Sequence, residues 1–297
     1  MALNTATFKT RTISAIIFAV IMLAGLFWNF WSFFLLFSVI HFGCWKEYQK
    51  LIGFIDQEYA QISFYHKYGV MIAGWFVMFY FANANETRPI SLHLIGEWGG
   101  LFFIIVLPLL EVIFVRNINF KLIGYSLFGL LYISLSLGLL TDIRSRFADD
   151  LLSDLVGKIL VIMIIGSIWI NDTMAYIVGS LIGKTSLSRI SPKKTWEGTV
   201  GGIILAIGVM GLLGWGLRDE PAVALFPTVD WMVVAAIASI AGTFGDLLES
   251  KLKRMAGVKD SGHILPGHGG FLDRFDSLLI ATPFAWAYLV WIAGVGS

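Results

Sequence analysis

The chain has 297 residues, of which 57% are hydrophobic and 14% are charged, and its mean hydropathy is +0.79. Soluble domains carry about 25% charged residues, so this composition excludes a single water-soluble core and indicates a membrane protein. The net charge of +1 gives no reason to expect a nucleic-acid partner, and the single cysteine, Cys44, excludes an intrachain disulfide. The apolar runs are continuous and lack the alternation of a β-barrel, so we predict an all-α, polytopic transmembrane helical bundle.

Nine apolar segments are long enough to cross a bilayer as helices, which takes about 20 residues each. They run approximately over residues 12–29, 31–50, 68–84, 98–115, 122–140, 157–182, 198–217, 231–252 and 273–295. Only Trp28 to Phe30 separates the first two, which allows either a tight hairpin or a pair of shorter helices. We predict one integral membrane domain over residues 1–297, in which 1–150 hold spans with little chemistry and 151–297 form the catalytic half.

The distribution of Lys and Arg predicts the orientation in the membrane, because cytoplasmic segments carry the excess of these residues. The amino terminus and the segments after the second, fourth, sixth and eighth spans hold sixteen of the 21 Lys and Arg residues. The other five are Arg88, Arg144, Arg146, Lys158 and Arg218. We therefore predict that the amino terminus and the polar site face the cytoplasm and that the carboxyl terminus lies outside.

Residues 1–150 offer few side chains that indicate chemistry. Glu47 and Glu111 lie near predicted helix ends and are interpreted as interfacial charges. His41, His66 and His93 have no second ligand at the spacing of a metal site and are interpreted as ordinary interface residues. The stretch at 141–155 is acidic, and a solvated loop is favoured over a cation site. Its acids are Asp142, Asp149, Asp150 and Asp154.

One acid, Asp172, lies inside the sixth apolar segment. An unpaired acid in a membrane helix costs roughly 3 kcal/mol, so its default interpretation is functional. Tyr176, Gly179 and Gly183 share its helical face, at i+4, i+7 and i+11. The glycines favour close helix packing. A hydrogen-bonded Asp–Tyr pair is the structural alternative, but an acid on that face also suits a metal ion or its bound waters.

Basic and hydroxyl side chains cluster directly after this helix. They are Lys184, Arg189, Ser191, Lys193, Lys194 and Thr195. The Ser191-Pro192 pair predicts a helix start, with Pro192 in the first position and Glu197 in the first turn. A helix amino terminus with lysines and hydroxyl groups favours phosphate binding. The alternative is a basic loop that only follows the positive-inside rule.

The most polar stretch of the chain runs from 246 to 276. Asp246, Glu249, Ser250 and Lys253 lie at i, i+3, i+4 and i+7, so they share one helical face. Arg254, Lys259 and Asp260 follow them. Carboxylate and phosphate oxygens are the ligands that Mg²⁺ prefers, so acids and bases in one stretch favour phosphate chemistry with a divalent ion. The alternative is a charged amphipathic loop that satisfies its own ion pairs.

A glycine-rich turn leads from that helix into the last apolar segment. Gly269 and Gly270 permit positive φ and a close approach of the backbone to phosphate. His268 is interpreted as a hydrogen-bond donor or a turn residue rather than as a zinc ligand. Asp273 and Asp276 lie three residues apart at the predicted start of the last helix and share one face.

At this point the residues resemble those of phosphatidate cytidylyltransferases, also called CDP-diacylglycerol synthases. The resemblance rests on a long pattern without a gap, whose members are Ser250, Lys253, Arg254, Lys259, Asp260, Gly262, Leu265, Pro266, His268, Gly269, Gly270, Asp273, Arg274 and Asp276. The ISPKKTWEG run at 190–198 and the run from Asp172 to Tyr176 also look like the family. Met174 and Ser180 depart from it, since many relatives have Gly and Arg there.

The resemblance implies a nucleotidyltransferase of phospholipid biosynthesis, which converts CTP and phosphatidic acid to CDP-diacylglycerol and pyrophosphate with Mg²⁺. It implies membrane lipids as partners and the inner membrane of a bacterium as the location. No nucleic-acid partner is expected, a second cation is left open, and a homodimer is expected by analogy. A soluble nucleotide and a lipid must meet at the site, so we expect a funnel-like cavity open to the cytoplasm and to lipid.

With this resemblance, the candidate site residues divide into three predicted roles. The catalytic residues are Asp246, Asp273, Lys253, Arg254 and Lys259. The substrate-binding residues are Ser191, Lys193, Lys194, Thr195, Ser250, His268, Gly269, Gly270 and Arg274. The metal ligands are Asp246 and Asp273, with Asp276 and Asp172 as direct or water-mediated helpers. The prediction requires that acids from two segments approach one another at one membrane surface.

Two other classes of function stay open. The first is a different lipid-phosphate enzyme: a CDP-alcohol phosphotransferase would carry D-G-x-x-A-R, which is absent, while a polyprenol or phytol kinase is closer in architecture. The second is an ion-coupled transporter, which would have embedded acids and interrupted helices in two similar halves. Asp172 fits a transporter, but the two halves are dissimilar. Release of pyrophosphate from CTP distinguishes an enzyme of this type from a transporter.

Overall fold

The computed structural model describes residues 5–82, 91–115, 117–146, 151–262 and 269–292. Within these ranges the chain is almost entirely helical, and an isolated antiparallel bridge joins Ser186 and Thr195. The prediction of an all-α protein is confirmed. The continuous apolar runs explain this outcome, because a helix satisfies its backbone hydrogen bonds within itself, as the interior of a membrane demands.

Eleven α-helices and two π-helical segments follow one another along the described chain. In the first half they are α1 (Thr5–Phe27), α2 (Phe30–Ile55), α3 (Gln57–Ala60), α4 (Phe64–Phe81), α5 (Leu92–Phe114), α6 (Phe120–Gly129), the π-helical segment Leu130–Leu135 and α7 (Ser136–Ser145). In the second half they are α8 (Leu151–Ile182), α9 (Trp196–Gly216), α10 (Thr228–Met255), α11 (Leu272–Ala287) and the π-helical segment Tyr288–Ile292. Each predicted apolar segment overlaps one helix or one continuous helical run.

Five helical stretches of the described chain are long and apolar enough to cross a membrane. They are Leu92–Phe114, Phe120–Ser145, Asp154–Ile182, Trp196–Gly216 and Thr228–Met255. The chain therefore has the helices of an integral membrane protein. For α1, α2, α4 and α11, the prediction that they also cross the membrane rests on the sequence alone.

The junction between α1 and α2 is a tight hairpin. Asn29 caps α2, because the amide of Ser32 donates to the Asn29 side chain at 2.9 Å and the amide of Asn29 donates to Ser32 Oγ at 3.1 Å. This capping box satisfies amide groups that the first helical turn leaves unpaired. Gly25 of α1 packs against Leu36 of α2, so the two helices fold back on one another. Of the two alternatives for this junction, the hairpin is correct.

The last four long helices bring two polar loops to the same end of the bundle. The loop from α8 to α9 and the first turns of α11, which follow the loop from α10, contribute residues to one cavity. Small residues allow α8 and α9 to approach closely: a Cβ atom at Gly198 would lie 2.9 Å from the Cα atom of Gly179. Small-residue contacts of this kind favour helix association in membranes, where apolar burial contributes little. The predicted packing role of Gly179 is confirmed.

Three residues of the first half that we predicted at the membrane interface are instead buried. His41 is fully buried, and its Nε2 lies 2.9 Å from Ser134 Oγ. His66 is 7% exposed, and its Nε2 lies 2.8 Å from Ser126 Oγ. Glu47 is 5% exposed and contacts the start of α11. The interface prediction was wrong because these residues lie on helix faces that pack inward, which a hydropathy profile does not show.

Where the structure describes it, the acidic stretch after 141 is helical and not a solvated loop. Its partly or fully buried charges are Asp142, Arg144, Arg146, Asp154 and Lys158, here named the α7–α8 ion-pair cluster. Arg146 Nε donates to Asp142 at 3.2 Å, Arg144 donates to Asp154 at 2.6 Å, and Lys158 lies 2.7 Å from Asp154. The loop prediction was wrong for Asp142 and Asp154, because each has a basic partner one turn away or on the neighbouring helix. The other two acids, Asp149 and Asp150, lie outside the described residues.

Candidate active site

The polar residues of the two sequence motifs line one cavity of about 650 Å³. It lies among the ends of α8, α9, α10 and α11, with α1 on one side. The charged side chains that line it are Asp172, Asp246, Asp273, Asp276, Lys193, Lys194 and Arg274. All four predicted metal ligands therefore border a single space. Asp246 and Asp273 both border this cavity, and their shared role as metal ligands stays a prediction.

Another part of the cavity wall is apolar. Phe18 and Met22 of α1 contribute to it, as do Ile165, Ile168 and Trp169 of α8. Ligand cavities are commonly lined by apolar side chains together with a few polar groups that fix the orientation of the ligand. The combination of a charged and an apolar wall suits a molecule that has a charged head and an apolar remainder.

Asp246 on α10 is held from two sides. Lys194, in the loop before α9, forms an ion pair with Asp246 Oδ2, and Ser250 Oγ donates to Asp246 Oδ1 at 3.2 Å. The side chains of Lys194 and Asp246 are each 30% exposed. Because water screens such a pair, it contributes roughly 1 kcal/mol or less to stability. Lys194 can therefore exchange Asp246 for another anionic partner at little cost to the fold.

Asp273, in the first turn of α11, is held mainly by the loop that precedes it. Its Oδ1 accepts a hydrogen bond from Lys253 Nζ at 2.6 Å. Its Oδ2 accepts from the amides of Ser261 and Gly270 at 2.9 and 2.8 Å, and Ser261 Oγ lies 2.9 Å from the same oxygen. Oδ2 is therefore saturated with donors. Oδ1 is the oxygen that Asp273 can offer to a ligand when Lys253 moves aside.

Lys253 lies between two acids. Besides contacting Asp273, it forms an ion pair with Glu249, which precedes it by one turn on α10. The Glu249 side chain is fully buried, so it depends on this lysine for compensation of its charge. The lining of the cavity contains Asp273 but neither Lys253 nor Glu249. In this arrangement Lys253 is the counter-charge of two carboxylates.

Asp276 and Asp172 complete the acidic side of the cavity. The amide of Ser277 donates to Asp276 Oδ1 at 2.7 Å, and Asp276 is 8% exposed. Asn171 Nδ2 lies 3.4 Å from Asp172 Oδ1. Both carboxylates are thus held by the residue next to them on their own helix. Their distance from Asp246 is set by how α8 and α11 pack against α10.

The basic loop between α8 and α9 is closed by its own hydrogen bonds. The amide of Leu187 donates to the carbonyl of Lys194 at 2.8 Å, and the amide of Trp196 donates to the carbonyl of Thr185 at 2.9 Å. The carboxylate of Glu197 accepts from the amide of Thr185 at 3.2 Å. These bonds fix the loop, and Lys193, Lys194 and Thr195 at its end line the cavity.

The first residue of α9 is Trp196, so the predicted helix start at Pro192 was wrong. Thr195 is the N-cap, and its Oγ1 accepts from the amide of Gly198 at 3.1 Å. The loop is paired across the Ser186–Thr195 bridge, which keeps the backbone of Thr195 extended and delays the helix to the next residue. Glu197 lies in the first turn, as predicted.

Some predicted site residues lie outside the cavity lining. Arg254 and Lys259 are exposed, at the end of α10 and in the loop that follows it. Ser191 is half-buried in the loop before α9. Ser250 contacts Asp246 rather than the cavity. These residues therefore lie outside the cavity that the four acids border.

The glycine-rich turn before α11 is only partly within the described residues. Gly269 has a φ of +80°, which confirms the predicted positive φ. The amide of Gly270 is committed to Asp273. His268 lies outside the described residues, so its predicted role stays a prediction.

The cavity offers the donors that Mg²⁺ prefers. Carboxylates supply hard oxygen ligands, and Mg²⁺ completes its shell with waters and phosphate oxygens. The lining has four acids and three cationic side chains, so an anionic ligand would need added positive charge. Among the residues that the structure describes, however, no three Asp, Glu, His or Cys side chains lie close enough together to hold a metal ion. Lys194 and Lys253 now pair with Asp246 and Asp273, so a metal ion would have to displace a lysine.

Three polar residues of this region were not predicted from the sequence to belong to the site. Glu249 gave a local signal, because it shares a helical face with Asp246 and Lys253. Ser261 gave none, since a serine in a loop is common. Glu47 lies 214 positions before Ser261, so no local pattern could connect them. A contact of this length along the chain is visible only in the folded protein.

The chain is similar to known proteins over nearly all of its length. Residues 9–292 match the model of the cytidylyltransferase family. The chain is 33% identical over 292 residues to the phosphatidate cytidylyltransferase of Pseudomonas aeruginosa, which covers 97% of this chain and 99% of that protein. It is 30% identical over 265 residues to the phosphatidate cytidylyltransferase of Thermotoga maritima, covering 85% and 92% of the two chains. It is 36% identical over 191 residues to the one of Bacillus subtilis, covering 64% and 66%.

Proposed function

This chain belongs to the cytidylyltransferase family and is a nucleotidyltransferase, and we propose that it transfers the cytidylyl group of CTP to phosphatidic acid, giving CDP-diacylglycerol and pyrophosphate. The observation that carries this proposal is the cavity, which acids and bases from three helices and from the loop before α9 line beside an apolar wall. One substrate is a soluble polyanion and the other is a lipid with a charged head. Both kinds of wall are therefore needed at one place.

The cationic residues of the cavity are assigned to the phosphate groups. Lys193, Lys194 and Arg274 line the cavity, and the Lys194–Asp246 pair is half-exposed. A phosphate of CTP or of the lipid can replace Asp246 as the partner of Lys194. Thr195 accepts a hydrogen bond from the amide of Gly198, so its hydroxyl proton is available for a phosphate oxygen.

The transfer is a displacement at phosphorus. An oxygen of the phosphatidic acid phosphate attacks the α-phosphorus of CTP and forms the new P–O bond. The bond between the α-phosphorus and the oxygen that bridges to the β-phosphate breaks, and pyrophosphate leaves with the electron pair. The attacking phosphate is already ionised at neutral pH, so no strong general base is required. The protein contributes alignment of the two phosphates and neutralisation of their charge.

For Mg²⁺, the proposed ligands are Asp246 and Asp273, with Asp276 and Asp172 beside them. When bound, Mg²⁺ would neutralise phosphate charge and stabilise the leaving pyrophosphate. Lys194 contacts Asp246 in the structure, so a substrate phosphate that draws Lys194 away also frees a carboxylate oxygen. Substrate binding and metal binding would support one another for this reason. The remaining acids leave room for a second cation.

We place the protein in the inner membrane of a bacterium, with nine spans and with the cavity at the cytoplasmic face. The α8–α9 loop, which lines the cavity, and the start of α11 belong to the side that carries sixteen of the 21 Lys and Arg residues. This orientation puts the amino terminus inside and the carboxyl terminus outside, and it gives the cavity access to CTP. A homodimer and the absence of a nucleic-acid partner stay predictions from the sequence.

The proposal is tested with purified protein in detergent micelles, phosphatidic acid and CTP labelled on the γ-phosphate. Labelled pyrophosphate and a CDP-lipid should appear together, and only when phosphatidic acid and Mg²⁺ are both present. A chelator should stop the reaction and added Mg²⁺ should restore it. Pyrophosphate release that does not depend on the lipid would contradict the proposal, and an ion-coupled transporter would release none.

A further inference from the structure

One carboxylate from the first half of the chain reaches the active-site end of the second half. Glu47 lies on α2 and is 5% exposed. Ser261 Oγ donates to Glu47 Oε2 at 2.7 Å. The amides of Phe271 and Leu272 donate to Glu47 Oε1 and Oε2 at 3.0 and 2.8 Å. A buried carboxylate thus accepts hydrogen bonds from Ser261, in the loop before α11, and from the start of α11 itself.

These bonds account for a buried charge at this place. An ionised carboxylate that leaves water must be compensated by donors or by cations. Leu272 is the first residue of α11, so Glu47 accepts amide protons that the first turn of this helix leaves unpaired. The positive end of the helix dipole also favours an anion there. Glu47 therefore fixes the place where α11 begins, and Asp273 is the next residue of that helix.

Ser261 connects Glu47 directly to Asp273. Its Oγ lies 2.7 Å from Glu47 Oε2 and 2.9 Å from Asp273 Oδ2. Its amide also donates to Asp273 Oδ2, at 2.9 Å. The single hydroxyl proton of Ser261 is therefore shared between the two carboxylates. A change in the position of Glu47 would alter the donors that hold Asp273 Oδ2.

The same carboxylate explains two glycines of the polar motif. A Cβ atom at Gly262 or at Gly270 would overlap the carboxyl group of Glu47. The positive-φ glycines of the described chain are Gly257 and Gly269, so at 262 and 270 the requirement is space rather than backbone conformation. The glycines of the second half are thus fitted to a side chain of the first half.

We propose that Glu47 is a positioning residue for the cytidylyl transfer. It holds Ser261, the turn at 269–270 and the first turn of α11 in the arrangement that presents Asp273 Oδ1 to the cavity. Glu47 is not among the residues that line the cavity, so it acts through Asp273 rather than on a substrate. The effect on turnover rests on the proposed function, whereas the contact itself does not.

Turnover of a Glu47→Gln variant is the first measurement. The glutamine amide keeps the size of the side chain, but its NH₂ group is a hydrogen-bond donor and would face the donors that now contact the Glu47 carboxylate. We expect kcat to fall by about 10- to 100-fold, as for other residues that orient a catalytic group through hydrogen bonds without contacting the substrate. The KM for CTP should change by less than about threefold. The matched control is Glu111→Gln, which removes a half-buried carboxylate of the first half, the partner of His66. Its kcat should stay within about twofold of the wild type.

Two results would contradict the proposal in this assay. Equal kcat losses in Glu47→Gln and Glu111→Gln would mean that both acids only stabilise the fold. An increase in KM without a change in kcat would mean that Glu47 affects substrate binding instead of the placement of Asp273.

Hydrogen–deuterium exchange tests the contact between Glu47 and the start of α11 without a measurement of turnover. In Glu47→Gln, peptides covering 269–275 should exchange at least about 10-fold faster than in the wild type, and peptides of α4 and α5 should be unchanged. Unchanged protection at 269–275 would overturn the proposal. Absence of pyrophosphate release from the wild type would overturn the proposed function alone, because the exchange measurement would still report on Glu47.

A double variant tests whether Glu47 and the motif glycines act as one unit. Gly270→Ala alone should lower turnover strongly, since its Cβ overlaps the Glu47 carboxyl group. In a Glu47→Ala background those atoms are absent, so the same Gly270→Ala change should add less than about threefold to the loss. Losses that multiply would show that the two residues act independently, which would contradict the proposal.

Discussion

The ion pairs around the cavity and the α7–α8 ion-pair cluster use the same residue types in different surroundings. Lys194 and Asp246 each have side chains that are 30% exposed, whereas the Arg144 side chain is fully buried against Asp154. A screened pair can change partners at little cost, but removing one member of a buried pair leaves an uncompensated charge and costs about 3–5 kcal/mol. The comparison indicates that the Lys194–Asp246 pair serves ligand exchange and that the cluster serves the fold. Variants in the two regions should therefore separate activity from stability.

The largest effect on activity is expected from Asp246→Asn. The substitution keeps the shape of the side chain but removes its negative charge. That charge pairs with Lys194, and we propose that the same carboxylate binds Mg²⁺. Turnover should therefore fall by about 10³-fold. The free energy of unfolding should change by only about 1 kcal/mol, because the pair is half-exposed. Pyrophosphate release and thermal unfolding in the same micelles measure both quantities.

The control for that variant is Asp219→Asn, because the Asp219 side chain is 93% exposed and lies outside the cavity lining. Its turnover should match the wild type. Substantial turnover by Asp246→Asn in a correctly folded preparation would remove Asp246 from the proposed site.

The largest effect on stability is expected from Asp154→Asn in the α7–α8 ion-pair cluster. Arg144 would keep its charge in a buried place without the carboxylate that now lies 2.6 Å away, so the free energy of unfolding should drop by about 3 kcal/mol. The turnover of the molecules that remain folded should not change. Thermal unfolding together with turnover per folded molecule checks this prediction. A loss of turnover with unchanged stability would show that the cluster communicates with the cavity.

Lys194→Met should have an intermediate effect, again on activity. The lysine lines the cavity and is assigned to a phosphate, so its loss should lower kcat/KM for CTP by about 10- to 100-fold. Stability should change by less than about 1 kcal/mol. Lys251→Met is the matched control, since Lys251 is exposed on α10 and does not line the cavity. Similar losses in both variants would point to a general effect of surface charge.

The smallest effect is expected from Ser250→Ala. Ser250 Oγ donates to Asp246 Oδ1 at 3.2 Å and does not line the cavity, so it should act only through Asp246. Loss of one such hydrogen bond corresponds to about a 2- to 10-fold decrease in turnover. Steady-state kinetics at saturating CTP measure it. A decrease as large as that of Lys194→Met would mean that Ser250 contacts a substrate directly.

Much of the architecture followed from local patterns in the sequence. Long apolar runs predicted the helices, and helical spacing placed Asp246 on the same face as Ser250. The same reasoning failed where a loop paired with itself, as at Thr195, and where polar residues faced inward, as at His41. Periodicity reports which residues share a face of a helix. It does not report what that face packs against.

The sequence predicted which residues belong to the candidate site better than it predicted how those residues are arranged. The four acids do border one cavity. Lys253 contacts Asp273 but is not among the residues that line the cavity. A lysine in a polar motif has the same appearance in the sequence whether it binds phosphate or compensates a buried acid. The burial of Glu249 decides between the two, and that burial depends on the packing of α10 against its neighbours.

The sequence by itself determined that the chain is a helical membrane protein, that its charges gather in two motifs and that these motifs resemble a cytidylyltransferase. Those properties depend on composition and on short spacings, which the chain carries in any conformation. Only the tertiary structure decided that Glu47 supports the loop before Asp273, because residues 214 positions apart meet only after the helices have packed. Hydrogen bonds act over about 3 Å, so their partners are fixed by the fold and not by distance along the chain.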